Sequence, residues 1–245
     1  MPATPAWPPN SLPRLFIRQL LSESASIELN PTQANYLGNV LRLKGGDELL
    51  VFDGVTGEWL ARIGETGRKR MTLVVEGKTR EPETIPDVWL AFAPVKRAQT
   101  DWLVEKATEL GAAKLIPVMT QRTIADRVRL DRLEAIAVEA AEQCGRTLLP
   151  QISEPTSLKQ LIEREPSRKL YFADERGGKP AASAFQPGQA LILTGPEGGF
   201  ADEERSAIRA APNAVPVSLG PRILRAETAA LAALAAYMAV AGDWR

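Results

Sequence analysis

In the second two thirds of the chain, short apolar runs alternate with segments of helical periodicity, and this alternation constrains the fold more than any other feature. Residues 89–95 and Lys114–Met119 are typical of buried β-strands. Residues 101–110 carry apolar side chains at helical spacing and are followed by Gly111, a common helix stop, and a second helix opens at Asp131. The pattern predicts an α/β domain built on an open sheet.

The first 80 residues differ, because short β-rich runs there are separated by glycine-containing turns. The runs are residues 14–17, 48–53, 59–63 and 71–75, and one predicted helix, residues 31–41, interrupts them. We predict a small β-barrel domain over residues 1–80, in which residues 1–13, with five prolines, form a flexible lead-in. Residues 81–87 contain two prolines and open the second domain, residues 81–245, as a linker.

Two segments near the C-terminus are rich in glycine and proline. LTGPEGGF spans residues 193–200 and LGPRILRAETAA spans residues 219–230, and each follows a β-like run. Open α/β sheets bind ligands at the loops that leave the carboxyl ends of their strands. The segments match neither the P-loop nor the G-x-G-x-x-G pattern, so they predict a binding site of another kind. The simpler interpretation is that both are only tight turns.

Composition limits the chemistry of such a site. The chain has no histidine and a single cysteine, Cys144. This excludes Ser-His and Cys-His nucleophilic systems, histidine metal sites, cysteine zinc clusters and intrachain disulfides. The 30 basic and 30 acidic residues cancel, so overall charge gives no indication of a nucleic-acid partner. Neither a secretory signal nor a membrane span is evident, and we expect a cytoplasmic protein.

The two C-terminal segments carry a family resemblance. GPEGGF and LGPRILRAETAA resemble the signature of the RsmE family, the 16S ribosomal RNA (uracil-N3) methyltransferases of the SPOUT (alpha/beta knot) superfamily. Residues 93–123 and 139–152 resemble the family's central segments, and residues 36–54 its RNA-binding domain. The resemblance covers the chain from about Pro13 onward. It departs at Asn35, where members of the family often have histidine.

The resemblance implies a C-terminal SPOUT α/β domain with a deep trefoil knot, a PUA-like N-terminal β-barrel and a homodimer. It also implies S-adenosyl-L-methionine as methyl donor, with no metal. Three loops would hold the donor, one after residues 171–174 and the two C-terminal loops. The donor-binding residues that it implies are Leu193, Thr194, Gly195, Pro196, Glu197, Gly198, Gly199, Leu219, Gly220, Pro221, Ile223, Leu224 and Thr228.

The implied reaction is methylation of N3 of a uridine in 16S rRNA of the small subunit, in its decoding region. N3 carries a proton, so the site must stabilise the anion that remains when this proton leaves. We predict that the positive charge of Arg225 stabilises this anion. Glu197 or Glu227 would orient Arg225 or accept the proton, and the sequence does not rank these two glutamates. The alternative for Arg225 is a structural salt bridge to Glu227 or another carboxylate.

The N-terminal domain would contact the RNA. We predict that its phosphate-binding residues are Arg14, Arg18, Arg42 and Lys44. Two other functions stay open at this point. A related SPOUT enzyme would methylate the ribose 2′-hydroxyl instead of the base, and a protein that keeps the fold without the activity would act as an RNA-binding or ribosome-assembly factor.

Overall fold

The computed structural model describes residues 12–67, 70–124 and 127–244. Its contacts divide the chain into two units, one that runs to Glu83 and includes Gly145–Leu148, and one formed by Thr84–Cys144 and Leu149–Arg245. Most of the predicted lead-in, residues 1–11, lies outside the described residues. Residues 81–87 contain no helix or strand, and the linker there stays a prediction. Among the described residues, no helix is long and apolar enough to cross a membrane.

The first unit is a five-stranded half-barrel with strand order β1-β3-β4-β5-β2. Its elements are β1 (Arg14–Phe16), β2 (Ser26–Glu28), α1 (Pro31–Asn35), β3 (Glu48–Phe52), β4 (Glu58–Thr66) and β5 (Met71–Arg80). The long β4–β5 hairpin is antiparallel, and alternate side chains such as Ala61, Ile63 and Leu73 enter one apolar core. The sequence predicts four of the five strands but not β2, which has three residues.

The predicted helix over residues 31–41 has two parts. α1 starts at a capping box in which Asn30 and Gln33 satisfy each other's backbone amides. Residues Tyr36–Val40 continue it as a π-helical turn, closed by a 2.9 Å bond from the Leu41 amide to the Tyr36 carbonyl. Arg42 follows with φ of +60°, a left-handed conformation that is uncommon for a residue other than glycine.

The segment Gly145–Leu148 packs with the first unit, where charged side chains hold its backbone. Arg14 Nη2 donates to the Arg146 carbonyl at 2.7 Å, and Arg80 Nη2 donates to the Gly145 carbonyl at 2.8 Å. The Glu83 carboxylate accepts from the amide of Leu148 at 3.0 Å. The predicted boundary at residue 81 assigns these residues to the second domain, because contacts between segments so far apart in the chain leave no local pattern in the sequence.

The second unit is a three-layer α/β structure, which confirms the predicted fold class. Its strands are β6 (Val88–Phe92), β7 (Lys114–Met119), β8 (Gln151–Ile152), β9 (Thr156–Ser157), β10 (Lys169–Ala173), β11 (Lys179–Pro180), β12 (Ala190–Thr194) and β13 (Ala214–Ser218). Its helices are α2 (Arg97–Glu109), α3 (Leu130–Cys144), α4 (Leu158–Arg164), α5 (Ala181–Ala184), α6 (Asp202–Ala210) and α7 (Ala226–Val240).

The sheet of the second unit has the order β11-β13-β10-β12-β6-β7-β8, and its neighbouring strands are parallel. Both faces are covered, as parallel sheets require. In β12, Ala190 and Ile192 enter one core with α2, α3, α5 and α7, while Leu191 and Leu193 enter a second core with α4 and α6. Because alternate side chains enter the cores on opposite faces of the sheet, every residue of such a strand is buried and the sequence shows a continuous apolar run.

The helix ends follow local signals. α2 ends where Gly111 adopts φ of +93°, the left-handed conformation typical of a residue that terminates a helix. It starts at Arg97, four residues before the predicted start. The prediction began too late because the first turn of α2 is polar and shows no apolar periodicity. α7 buries Leu231, Leu234 and Met238.

Candidate functional site

Three neighbouring strands of the second sheet end at the same edge and release three loops there. The strands are β13, β10 and β12, adjacent and parallel, so their carboxyl ends lie side by side. The loops enclose a cavity of about 250 Å³, which we call the loop cavity. This volume is close to the lower end of the range for small-molecule sites, about 300–1,000 Å³. The position is the one at which open α/β sheets bind ligands.

Most of the predicted donor-binding residues line the loop cavity. They are Thr194, Gly195, Pro196, Gly199, Leu219, Gly220, Pro221, Ile223 and Leu224. At two of these positions the structure explains why the residue is glycine. A Cβ on Gly195 would approach the buried ring of Phe200 to 3.1 Å, and Gly220 has φ of +110° with open space where a Cβ would stand. A side chain at Gly220 would therefore be strained, and at this lining position it would occupy the cavity.

The loop after β10 supplies an acidic wall that is anchored by arginines of α6. Asp174 is buried and pairs with Arg205, while Arg209 Nε donates to its Oδ2 at 3.1 Å. Arg205 also pairs with Glu175, and both Asp174 and Glu175 line the cavity. α6 thus fixes this loop through a buried cation with two carboxylate partners.

The other predicted donor-binding residues lie outside this lining. Leu193 is fully buried in the core beneath the sheet, and Thr228 is exposed on α7. The Gly198 carbonyl accepts a 2.7 Å hydrogen bond from Arg122 Nη1. Glu197 is exposed and lines a second cavity, which adjoins the loop cavity because Pro196 lines both.

The predicted catalytic residues of α7 lie at its start. Arg225 is the exposed N-cap residue, and within the described part of the chain no carboxylate pairs with it, so its predicted alternative role in a salt bridge to Glu227 finds no support there. Glu227 is buried, and its Oε2 has no hydrogen-bond partner among the described residues. Their neighbours Ala226 and Leu224 line the loop cavity, as does Arg222.

The four predicted phosphate-binding residues have different environments. The Arg14 side chain is only 8% exposed; its Nε donates to Glu58 at 2.8 Å, and its guanidinium lies 4.6 Å from the centre of the Phe52 ring. This corrects the prediction for Arg14, because its charge is used inside the protein. Arg18, Arg42 and Lys44 are exposed.

Glu58 is the centre of this buried charge group. Burial alone would raise the pKa of Glu58, but hydrogen bonds and charge from Arg80 and Arg14 outweigh burial and hold that pKa below its ordinary value. Arg80 donates to both carboxylate oxygens, at 2.9 and 2.8 Å. The group therefore stabilises the first unit.

Several lining residues are absent from the predicted donor-binding set, among them Glu175, Phe200, Ser218 and Arg222, although Phe200 and Arg222 lie within the two predicted C-terminal loops. The Gly177-Gly178 pair, which follows an apolar run, is the signal that marks the first loop. Arg222 lies in the LGPRILRAETAA segment, but periodicity does not distinguish it from Arg225. In the described ranges, no group of three or more His, Cys, Asp or Glu side chains is arranged to hold a metal ion.

Comparison with known proteins gives matches along most of the chain. Residues 81–238 match the family model of the RNA methyltransferase domain, and residues 29–76 match that of the RNA methyltransferase PUA domain. The chain is 32% identical over 227 residues to ribosomal RNA small subunit methyltransferase E of Rickettsia conorii, covering 91% of this chain and 93% of that protein. The Synechocystis protein of the same name is 36% identical over 220 residues, or 86% and 72% of the two chains.

Solved structures agree with these matches. The crystal structure of the Neisseria gonorrhoeae ribosomal RNA small subunit methyltransferase E, bound to S-adenosyl methionine, superposes with a TM-score of 0.87 at 29% identity, covering 96% of this chain and 100% of that one. A Legionella pneumophila methyltransferase with bound S-adenosylmethionine gives the same TM-score and identity, with 95% and 99% covered.

Proposed function

The chain belongs to the RsmE family of ribosomal RNA methyltransferases, and from this premise we propose that it methylates N3 of a uridine in 16S rRNA, with S-adenosyl-L-methionine as donor. Membership confirms the resemblance found in the sequence, together with the α/β methyltransferase domain and the PUA-like N-terminal domain. The single observation that carries the proposal is the loop cavity, which gathers nine of the predicted donor-binding residues at one sheet edge. The knot stays a prediction.

The residues of the loop cavity fit such a donor. The backbone of Gly195, Gly199 and Gly220 is accessible at the cavity wall, and the acidic side of the loop after β10 faces the same space. When bound, S-adenosylmethionine supplies a methyl group that is already activated by its sulfonium, so the protein needs neither a metal nor a nucleophilic side chain. Leu219, Leu224 and Gly220 would hold the adenine edge through their main chain.

The residues around the start of α7 would prepare the base. The uracil N3 must lose its proton before it accepts the methyl group, and the negative charge then spreads over O2 and O4. Arg225, which has no internal carboxylate partner among the described residues, would stabilise that charge. Glu197, which lines the second cavity next to Pro196, and Glu227, whose buried Oε2 has no hydrogen-bond partner among the described residues, are the two candidate proton acceptors.

The first unit would hold the RNA through its exposed cations. Arg18, Arg42 and Lys44 are exposed, and Arg42 is held in a left-handed conformation, a strain that costs free energy and that proteins often keep at functional sites. Arg14 is not part of this proposal, because Glu58 neutralises it. The RNA substrate would be the 16S rRNA within the small ribosomal subunit, in the cytoplasm, where these subunits assemble.

A homodimer formed through the second unit completes the proposal. Thr228, Ala232, Ala235 and Ala239 form a stripe of small, partly exposed residues at helical spacing along α7. Trp102 is 44% exposed, and such an apolar ring on the same unit gains free energy when a partner covers it.

The test is methyl transfer to small ribosomal subunits that lack the modification, followed by mass spectrometry of the labelled nucleoside. We expect N3-methyluridine. A 2′-O-methylated nucleoside would assign a different activity to the same fold. Absence of incorporation despite binding of S-adenosylmethionine in calorimetric titration would contradict the proposed substrate.

A further inference from the structure

The second cavity, next to the loop cavity, is rich in arginine. It has a volume of about 380 Å³ and is formed by the start of α2, the loop after β7, the start of α3 and the turn at Pro196 and Glu197. Its apolar lining includes Pro94, Val95 and Leu133. We call it the arginine-rich cavity, because six cationic residues line it: Lys96, Arg97, Arg122, Arg127, Arg129 and Arg132.

Five of the six cations, all except Arg122, divide into those that a carboxylate of the protein neutralises and those that lack such a partner. Arg129 pairs with Asp131 at 2.6 Å, and Arg132 pairs with Asp101 at 2.6 Å. Lys96, Arg97 and Arg127 are exposed and have no carboxylate partner within residues 12–67, 70–124 and 127–244. Unpaired cations that converge on a cavity attract an anion from outside.

Two further features favour an anionic ligand at this place. α2 begins at this cavity, and its first turn contains no acidic residue, so its positive dipole end adds to the charge of Lys96 and Arg97. Arg122 lines the cavity and donates to the carbonyl of Gly198 in the loop that borders the loop cavity. The cationic wall is thus connected directly to the proposed donor site.

We propose that the arginine-rich cavity binds the target uridine and its flanking phosphates, an inference that rests on the proposed function. Pro196 lines both cavities, so a base in the arginine-rich cavity lies next to the loop that would hold the methyl donor. The apolar lining suits a flat base, and the unpaired cations suit the phosphates on either side. A small free anion would be bound by the cations alone, so the apolar lining beside Pro196 favours a nucleotide, which has both a flat base and phosphates, as the ligand.

The test compares two double variants of the full chain. Arg97→Gln with Arg127→Gln removes two unpaired cations of the cavity, and Lys159→Gln with Arg164→Gln removes two exposed cations of α4 as a matched control. KM and kcat are measured with small ribosomal subunits that lack the modification. Affinity for a labelled uridine-containing single-stranded RNA is measured at several salt concentrations. Thermal melting and calorimetric titration with S-adenosylmethionine show whether each variant is folded and binds the donor.

We expect the cavity variant to raise KM for subunits about tenfold while kcat changes less than about threefold, since phosphate contacts act mainly on binding. The plot of log affinity against log salt should become shallower by about 1.4, because each phosphate contact to a single strand contributes about 0.7. The control should match the wild type in both measurements. If the double variant does not fold, the single Arg97→Gln variant should give about half of the change in slope.

Equal KM and equal salt slope in the cavity variant and the control would overturn the inference, and would leave the cations available for an acidic protein partner. Failure of the proposed function would look different, because the wild type itself would then not form N3-methyluridine. In that case the RNA affinities still decide the matter. Wild-type protein that does not bind the RNA, or binds it as the cavity variant does, would refute the cavity as an RNA site.

Discussion

Replacing Asp174 by asparagine should show how much the buried ion pairs of the loop after β10 contribute to protein stability and to donor binding. The change keeps the shape of the side chain but removes the charge that faces Arg205, a side chain only 5% exposed, and Arg209. Among the described carboxylates, Arg205 would then keep Glu175 alone, which is 42% exposed and a weaker partner. Removing one member of a buried ion pair costs about 3–5 kcal/mol. For a chain of this size that corresponds to a loss of roughly 6–20 °C in melting temperature.

Asp202→Asn is the matched control, because Asp202 and its partner Arg176 are both more than half exposed. An exposed pair of this kind contributes less than about 1 kcal/mol, so its loss should shift melting by less than about 4 °C. Calorimetric titration with S-adenosylmethionine adds the functional measurement. If the substitution destabilises the binding conformation of the loop by about 1.4 kcal/mol relative to its other conformations, donor affinity decreases about tenfold.

Three results complete this experiment. Arg205→Gln in the Asp174→Asn background should recover part of the lost stability, because it removes the buried charge that has lost its main partner. Equal melting temperatures for Asp174→Asn and Asp202→Asn would refute the argument that α6 anchors the loop. A large loss of stability with unchanged donor affinity would show that the anchored loop is not part of the donor site.

Arg225→Ala should lower kcat/KM by about 10²–10³, or about 3–4 kcal/mol, without changing melting or donor affinity, and a loss of less than threefold would contradict its proposed role. Light scattering at micromolar concentration should give twice the 26.6 kDa of one chain, and a monomer would refute the dimer. Since Glu58 has a lowered pKa in the folded protein, its contribution to stability is complete above its ordinary value of 4.5 and is lost as pH falls through the lower folded value. Thermal melts from neutral to acidic pH should therefore show a flatter pH dependence for Glu58→Gln than for wild type, and parallel curves would contradict this reading.

The parts of the fold that the sequence predicted are those with local causes. β7 is observed at the predicted residues, and Gly111 ends α2, because strand burial and the left-handed stop are encoded in a few adjacent residues. The loop cavity was predictable for the same reason. Gly195 and Gly220 leave a mark in the sequence, since the first must admit Phe200 and the second adopts a conformation that favours glycine.

The parts that it did not predict depend on contacts between distant segments. Arg14 looks like a surface cation in the sequence, yet Glu58, 44 residues away, neutralises it. The segment Gly145–Leu148 joins the first unit through bonds to Arg80 and Glu83. No periodicity or turn motif records such pairings, because each partner alone is compatible with many neighbours.

The same distinction bears on how a chain with no net charge recognises RNA. The 30 cations and 30 anions cancel only in the total, and what a phosphate meets at the surface depends on which cations are already neutralised inside the protein. Glu58 neutralises Arg14, and Asp174 helps to neutralise Arg205, so these arginines stabilise the fold. Lys96 and Arg97 have no such partner among the described residues and lie in the cavity beside Pro196. Internal pairing, rather than the number of basic residues, therefore determines where this protein offers positive charge to its substrate.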